Sequence, residues 1–207
     1  MTRAQAKADV AQQRRQAMQE AAASVFLRLG YEAASMDLIA AEAGVAKQTL
    51  YNHFRSKEAL FRAIVEELRD ELLAALTPRD RMEAAEPERV LEAFGRQFLT
   101  IVLRPSSLSL HRVLVAEAGR FPQLARAVYE AGPARTVARL AGYLRAETLR
   151  GRLAVTEPAL AAEQFLGMLV GHFQLRALFG VRDAPSPEEV DKAVRHAVRL
   201  FLRAHAP

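Results

Sequence analysis

Apolar residues recur at helical spacing along almost the whole chain, and glycine and proline interrupt this pattern at intervals. In the first such stripe, Met18, Ala22, Val25 and Leu29 fall on one face of a helix, and Gly30 follows directly. No segment alternates apolar and polar residues with the two-residue period of a half-buried strand. The pattern therefore predicts an all-α protein with about ten helices.

Capping and helix-breaking residues predict where the helices begin and end. The first three helices are expected at 9–29, 36–43 and 47–53, and a long fourth helix at Ser56 to Thr77-Pro78. One further helix is expected to end before Pro105. Others are expected to begin at Ser106 or Ser107 and at Pro122, Pro133, Pro158 and Pro187, the last of these directly after Ser186. The polar residues before the first helix are expected to form a mobile arm.

The composition narrows the class of protein. A chain of 207 residues with 51% hydrophobic content can bury a core in one or two domains. The net charge of +5 and a pI near 10.0 favour an anionic partner such as nucleic acid or a membrane surface. The absence of cysteine excludes disulfides, thiolate metal sites and a cysteine nucleophile. Neither a secretory signal nor a long apolar segment is evident, so we expect a cytoplasmic protein.

The second and third helices form the pattern of a helix-turn-helix. Only Gly44-Val45-Ala46 separates them, and in this motif the second helix enters the major groove of DNA. Leu50 and Phe54 fall on the inner side of the third helix. Its outer face is then formed by Lys47, Gln48, Thr49, Tyr51, Asn52 and His53.

A longer ordered motif surrounds this pair of helices. It consists of Phe26, Gly30-Tyr31, Ile39-Ala40, Ala43-Gly44-Val45, Leu50-Tyr51-Asn52-His53-Phe54 and Ser56-Lys57-Glu58-Ala59-Leu60. Over residues 15–65 the chain resembles the TetR family of bacterial transcriptional regulators. The resemblance implies a DNA-binding domain at 1–55, including the N-terminal arm, and a helical ligand-binding and dimerisation domain at 56–207, with the fourth helix linking them. Ala46 departs from the serine or threonine that many relatives have at this helix start.

The residue types on the outer face suit contacts with duplex DNA. Lysine can neutralise a phosphate, Tyr51 and His53 can donate to phosphate oxygens, and Gln48, Thr49 or Asn52 can reach base edges. The family resemblance implies phosphate contacts for Ser35, Tyr51, His53 and Lys57, and Lys47 is expected to neutralise a phosphate as well. Arg14 and Arg15 are open to two interpretations, as DNA contacts or as solvated side chains.

The C-terminal part resembles the effector domain of some TetR regulators, including efflux-pump repressors, over His111-Arg112 to Gly132-Pro133. Ligand pockets are mainly apolar, so large side chains of the middle helices are candidates, although each can equally be ordinary core. The candidates are Phe94, Phe98, Ile101, Leu108, His111, Phe121, Tyr129, Phe165, Met168 and Phe173. His111 and His172 lack a partner at metal-binding spacing, so neither a metal nor another cofactor is expected.

Gly167 and Gly171 lie inside an otherwise good helical pattern, where each glycine costs about 1 kcal/mol relative to alanine. Close approach of another helix would compensate for this cost. TetR relatives dimerise through their last long helices, which places both glycines at the dimer interface beside the 187–204 helix. Close packing within one subunit is the alternative.

The sequence therefore predicts a homodimeric TetR-type regulator that binds a near-palindromic duplex operator and is released from it by a small, largely apolar effector. An enzyme is not expected, because no Gly-rich phosphate loop, serine elbow or convergent set of carboxylates is found. In another hypothesis, the C-terminal half only dimerises or binds a protein and has no small ligand.

Overall fold

The computed structural model describes residues 3–73, 85–181 and 185–207. Within these ranges the chain is helical and contains no strand, which confirms the predicted all-α class. The helices are α1 Arg3–Ala33, α2 Met36–Glu42, α3 Lys47–His53, α4 Lys57–Leu73, α5 Pro87–Val102, α6 Pro105–Glu117, α7 Pro122–Ala131, α8 Pro133–Leu149, α9 Pro158–Val170, α10 Phe173–Leu178 and α11 Pro187–Ala204.

The first helix is longer than the sequence pattern predicted. It begins at Arg3, so residues 3–8, which were expected to lie in a mobile arm, belong to α1. At its other end Gly30 has φ 76° and ψ 170°, which interrupts the helix at the predicted residue before one more turn reaches Ala33. The predicted end of the fourth helix at Thr77-Pro78 lies outside the described residues.

Local capping chemistry explains several other helix starts. Pro87, Pro133, Pro158 and Pro187 lie in the first turn of their helices, where the missing N–H is no loss. At α11, the Ser186 hydroxyl accepts from the Glu189 amide at 3.2 Å, and the Glu189 carboxylate accepts from the Ser186 amide at 3.0 Å. This reciprocal pair confirms the predicted start of the last helix.

The chain divides into two compact units. The first comprises Met1–Glu67 and Ser109–Tyr129, and the second comprises Leu68–Leu108 and Glu130–Pro207. The predicted domain boundary at residue 55 is a different division of the chain and stays a prediction. In the first unit, Phe26 and Phe61 are buried at a ring-centroid distance of 5.1 Å, and Tyr31 contacts both rings. These aromatic contacts join α1 to α4.

The second unit has a large apolar core to which α5, α8, α9 and α11 contribute. Phe94, Phe165 and Val194 are fully buried in it. A Cβ at Gly95 would lie 3.0 Å from Val194 Cγ1 and 3.2 Å from Leu169 Cδ2, so a glycine there lets α5 approach α9 and α11 closely. Among the described residues no single helix is long and apolar enough to cross a membrane; only the bent pair α5 and α6, taken together, reaches that length and composition.

The two glycines of α9 differ from each other in conformation. Gly171 has φ 45° and ψ −132° and ends the helix, so the prediction of a continuous helix through it was wrong. The positive φ is a sufficient reason for glycine at this position. Gly167 stays within α9 and is exposed, and a Cβ there would meet nothing within 4 Å.

Candidate nucleic-acid interface

The helix-turn-helix is fixed by buried apolar residues on its inner side. Ile39 and Leu50 are fully buried, and Phe54 is 3% exposed. Gly44, with φ 64°, reverses the chain, and the Val45 amide donates to the Ala40 carbonyl at 3.0 Å. These contacts set the rotation of α3 about its axis and leave its opposite side towards solvent.

The exposed side of α3 brings together the six residues that the sequence placed there. We call it the recognition face: Lys47, Gln48, Thr49, Tyr51, Asn52 and His53. All are exposed except Thr49, which is half-buried. The face therefore presents amide, hydroxyl, phenol, imidazole and ammonium groups within two helical turns, a set of donors and acceptors suited to base edges and phosphates.

Two polar pairs organise this face. The Gln48 side-chain amide donates to Asn52 Oδ1 at 3.0 Å. Lys47 Nζ lies 2.7 Å from Asp37 Oδ1 and 2.9 Å from Asp37 Oδ2. Its hydrogen bond to Asp37 and the charge of that carboxylate raise the pKa of Lys47, so the ammonium stays charged at neutral pH.

Asp37 is a residue of the interface that sequence reasoning missed. Its position in the first turn of α2 indicates only a favourable interaction with the helix dipole. The pairing with Lys47 spans ten residues and depends on the angle between α2 and α3, so no local spacing rule signals it.

The N-terminal ends of α2 and α3 are capped differently. The Ser35 hydroxyl accepts from the Leu38 amide at 3.2 Å and so caps α2, and its own proton remains available to another acceptor. Ala46 at the start of α3 makes no side-chain cap, as its residue type dictates.

Lys57 points into the protein and contacts the end of α1. Its ammonium donates to the carbonyls of Tyr31 at 2.6 Å, Ala34 at 2.8 Å and Glu32 at 3.1 Å, and it lies 4.4 Å from the centre of the Tyr31 ring. An ammonium has three N–H donors, and all three are used here. Burial lowers the pKa of Lys57, partly opposed by Glu117 and Glu32. In this conformation Lys57 stabilises the helix end, and its predicted phosphate contact stays a prediction.

The same end of α1 contacts residues 117–121, which we call the α6–α7 corner. The rings of Tyr31 and Phe121 meet edge to face at 5.3 Å, and Arg120 forms a bidentate ion pair with Glu32. Burial, with a smaller effect from Glu58, raises the pKa of Tyr31 to about 12. Both partners in these contacts belong to the first compact unit.

The N-terminal arginines have separate environments. The Arg15 guanidinium lies 4.7 Å from the centre of the ring of Phe54, the residue at the end of α3, while Arg14 is exposed. Further along α1, Arg28 pairs with Glu42 at 2.9 Å, and Ser24 donates to the same carboxylate at 3.1 Å. These bonds attach α2 to α1 and hold the helix-turn-helix in place.

The predicted effector-binding residues fall into two groups. Six belong to or pack against the apolar core of the second unit: Phe94, Phe98, Ile101, Leu108, Phe165 and Phe173. Of the other four, Tyr129 and Met168 are exposed, and Phe121 packs against Tyr31 in the first unit. His111 is half-buried, and burial lowers its pKa. Only the first group is brought together, and all ten assignments stay predictions.

Comparison with known families gives two matches that together span most of the chain. Residues 20–64 match the family described as "Bacterial regulatory proteins, tetR family". Residues 89–207, more than half of the chain, match "AefR-like transcriptional repressor, C-terminal domain".

Curated relatives align over shorter stretches. The HTH-type transcriptional activator FasR from Mycolicibacterium smegmatis is 40% identical over 77 residues, which are 36% of this chain and 35% of FasR. The HTH-type transcriptional regulator YhgD from Bacillus subtilis is 42% identical over 59 residues, 28% of this chain and 31% of YhgD. The chain thus spans about a third of the length of these two relatives.

Solved structures match over nearly the full length. A TetR-family transcriptional regulator from Mesorhizobium loti has a TM-score of 0.81 and 32% identity, with 94% of this chain and 98% of the other covered. The flavonoid-responsive regulator FrrA has a TM-score of 0.74 and 34% identity at the same coverage. With its helix-turn-helix, its all-α fold and these matches, the chain belongs to the TetR family of DNA-binding transcriptional regulators.

Proposed function

We propose that the protein is a homodimeric repressor that binds a near-palindromic duplex operator and leaves it when a small, largely apolar effector binds. The observation that carries the proposal is the recognition face. Its six polar side chains project from α3, and the buried residues Leu50 and Phe54 hold this helix in place. Two such helices in a dimer would enter successive major grooves about 34–36 Å apart.

Within the recognition face we assign two kinds of contact. Tyr51 and His53, with Ser35 at the start of α2, donate to phosphates and set the orientation of the protein on the duplex. Gln48, Thr49 and Asn52 face the base edges, and an amide can read adenine through its N6 and N7 atoms. The bond between Gln48 and Asn52 supports this assignment because it limits the orientations of the Gln48 amide.

A gel shift at several salt concentrations, using the DNA that flanks the protein's own gene, tests this function. Specific binding that weakens steeply with salt is expected. Tyr51→Phe should weaken binding to all duplexes alike, whereas Gln48→Ala should change the preference among operator variants. The reverse pattern would contradict the assignment of phosphate and base contacts.

The second unit offers a surface suited to a second copy of the chain. Leu160, Met168 and Leu175 are exposed on α9 and α10, and Leu200 is exposed on α11. The open space at Gly167 supports close approach of a partner helix there. We assign the dimer interface to this surface, which a two-fold axis can pair with itself; Gly171 ends α9 at its edge.

Light scattering after size-exclusion chromatography tests the dimer. Met168→Glu should shift the protein towards monomer, because an unpaired carboxylate in an apolar interface is costly. Leu149→Glu is the matched control, since Leu149 is 83% exposed on α8, outside the proposed interface. Dissociation by the control variant alone would place the interface elsewhere.

Repression is supported by the AefR-like repressor domain that matches residues 89–207, whereas the relative FasR is named as an activator. A reporter driven by the identified operator decides between them. Deleting the gene should raise expression from a repressed promoter and lower it from an activated one.

The apolar core of the second unit supports a largely apolar effector, and FrrA, which matches nearly the full length, is described as flavonoid-responsive. A panel of apolar small molecules that includes a flavonoid should release the protein from its operator. A protein that dimerises and represses, but that no small molecule releases, would favour the hypothesis of a dimerisation or protein-binding module.

Release requires that effector binding favour a dimer whose two recognition helices no longer fit the half-sites. We assign this coupling to α4 and to the α6–α7 corner. The corner contacts α1 through Phe121 and Arg120, so any movement of the corner acts directly on the end of α1. As a regulator of bacterial transcription, the protein would act in the cytoplasm and would need no enzymatic activity.

A further inference from the structure

An acidic side chain lies beside the recognition face. Asp37 is in the first turn of α2, its side chain is 63% exposed, and both of its oxygens lie within hydrogen-bond distance of Lys47 Nζ. Lys47 opens α3 and is the lysine of the recognition face. A carboxylate in this position repels phosphates and occupies the cation that would attract them.

We propose that Asp37 limits the affinity of the protein for DNA of arbitrary sequence by neutralising Lys47. This inference rests on the proposed function as a duplex-binding regulator. Sequence-independent binding depends almost entirely on cations that replace counterions at phosphates. While Lys47 is paired with Asp37, the two charges cancel, and this lysine contributes little to sequence-independent DNA binding.

The geometry makes the neutralisation effective. The ammonium is held by two carboxylate oxygens and also lies 6.0 Å from the centre of the Tyr51 ring, so it has a defined resting place on the protein. A phosphate that captures Lys47 leaves the Asp37 carboxylate unpaired next to the polyanionic duplex. The favourable contact between Lys47 and the phosphate is therefore offset by repulsion between the unpaired Asp37 carboxylate and the duplex.

The size of the effect follows from the electrostatics of DNA binding. One freed lysine should steepen the dependence of log K on log salt by about 0.9 for each protomer on the duplex. It should also raise affinity for a random-sequence duplex about fivefold per protomer at physiological salt. Between 50 and 200 mM salt, this advantage should shrink about 3.5-fold, as that slope requires.

The experiment is a fluorescence anisotropy titration of a labelled random-sequence duplex with the full-length protein over this salt range. Asp37→Asn should bind more tightly and with the steeper slope. Asp37→Ser should show the same gain, which excludes a new base contact from the asparagine amide. Glu130→Gln, which changes the net charge equally at an exposed residue of α7, should show at most a small gain.

The double variant Asp37→Asn/Lys47→Met isolates the pair. Its gain over Lys47→Met should be clearly smaller than the gain of Asp37→Asn over the wild type, because without the lysine only the repulsion between the carboxylate and the phosphates is relieved. Thermal unfolding followed by circular dichroism confirms that each variant is folded.

The outcomes distinguish this inference from the proposed function. If the wild-type protein binds DNA and Asp37→Asn behaves like Glu130→Gln, or if the gain is equally large without Lys47, the neutralising role of Asp37 is refuted while the regulator function stands. If the wild-type protein binds neither the random duplex nor the flanking DNA, the proposed function fails and the inference fails with it.

Discussion

Replacing Lys57 by methionine tests whether this lysine stabilises the end of α1 or binds a phosphate. Methionine keeps most of the apolar stem and removes the donors to the carbonyls of Tyr31, Glu32 and Ala34. These carbonyls follow the break at Gly30, where the helix cannot satisfy them with its own amides. The variant therefore removes the cap at this helix end, and extending the helix would not supply other donors for these carbonyls.

The expected loss of stability can be worked out from these contacts. A hydrogen bond from a charged donor contributes about 1.5–3 kcal/mol net. The three bonds share one ammonium, and burial lowers the pKa of Lys57, which shows that dehydration already costs part of the gain. We therefore expect Lys57→Met to lower the free energy of unfolding by about 2–3 kcal/mol, well below the sum of three independent bonds.

Urea denaturation measures this loss, with Lys47→Met as the matched control. Lys47 is also a paired lysine of the helix-turn-helix, but its partner is exposed, so its removal should cost no more than about 1 kcal/mol. The salt dependence of DNA binding should be nearly unchanged in Lys57→Met. A variant that unfolds like the wild type but whose salt slope is shallower by about 0.9 would show that Lys57 leaves its carbonyls and binds a phosphate.

Three further changes have defined outcomes in urea denaturation. The pKa of Tyr31 is raised to about 12, so the stability that its protonation contributes is complete below about pH 10 and lost as the pH rises towards 12. From about pH 9 to 11 the wild type should lose about 1 kcal/mol more than Tyr31→Phe, and an equal loss would assign the titration to another group. Glu147→Gln removes a fully buried carboxylate that accepts from Arg150 and Arg152 at 2.9 Å. It should cost about 2 kcal/mol, whereas the exposed Glu163→Gln should have little effect; similar values for both would refute the importance of burial. Gly171→Ala forces a side chain into a positive φ and should cost about 1–2 kcal/mol, whereas Gly142→Ala, in open space within α8, should stabilise by about 0.5–1 kcal/mol. Stabilisation by Gly171→Ala would mean that the helix can continue through this residue.

Most helix limits could be predicted from the sequence because they depend on chemistry within a few residues. Ser186 with Glu189 is a capping box that is visible in the sequence, and proline in a first turn needs no distant partner. The prediction at Gly171 was wrong, because an isolated glycine in a helical pattern can mark either a packing contact or a helix end. Only the backbone φ in the structure distinguishes the two. The predicted start of α1 was wrong for another reason. Polar residues without an apolar stripe give no periodic signal from which a helix can be predicted.

The recognition face could also be predicted, because the motif places Leu50 on the inner side of α3 and leaves the other six residues of the helix outside the core. The partners of these residues could not be predicted. Asp37 meets Lys47 across the turn, and Lys57 meets carbonyls 23 to 26 positions earlier in the chain, so both pairings are products of tertiary packing. A motif shows that a lysine is needed at a position, and the fold shows which oxygen atoms it satisfies.

Lys47 and Lys57 differ in how readily they can leave their protein partners and bind a DNA phosphate. Lys47 has to leave one exposed carboxylate, an ion pair worth no more than about 1 kcal/mol. Lys57 has to leave three carbonyls in a partly buried site, and the carbonyls it leaves would then lack a donor. A phosphate that draws out Lys57 therefore also loosens the end of α1, which contacts the α6–α7 corner through Tyr31 and Glu32. If Lys57 does bind a phosphate, the same displacement has to couple DNA binding to the packing of that corner, and reciprocity requires the corner to change the affinity for DNA by the same factor.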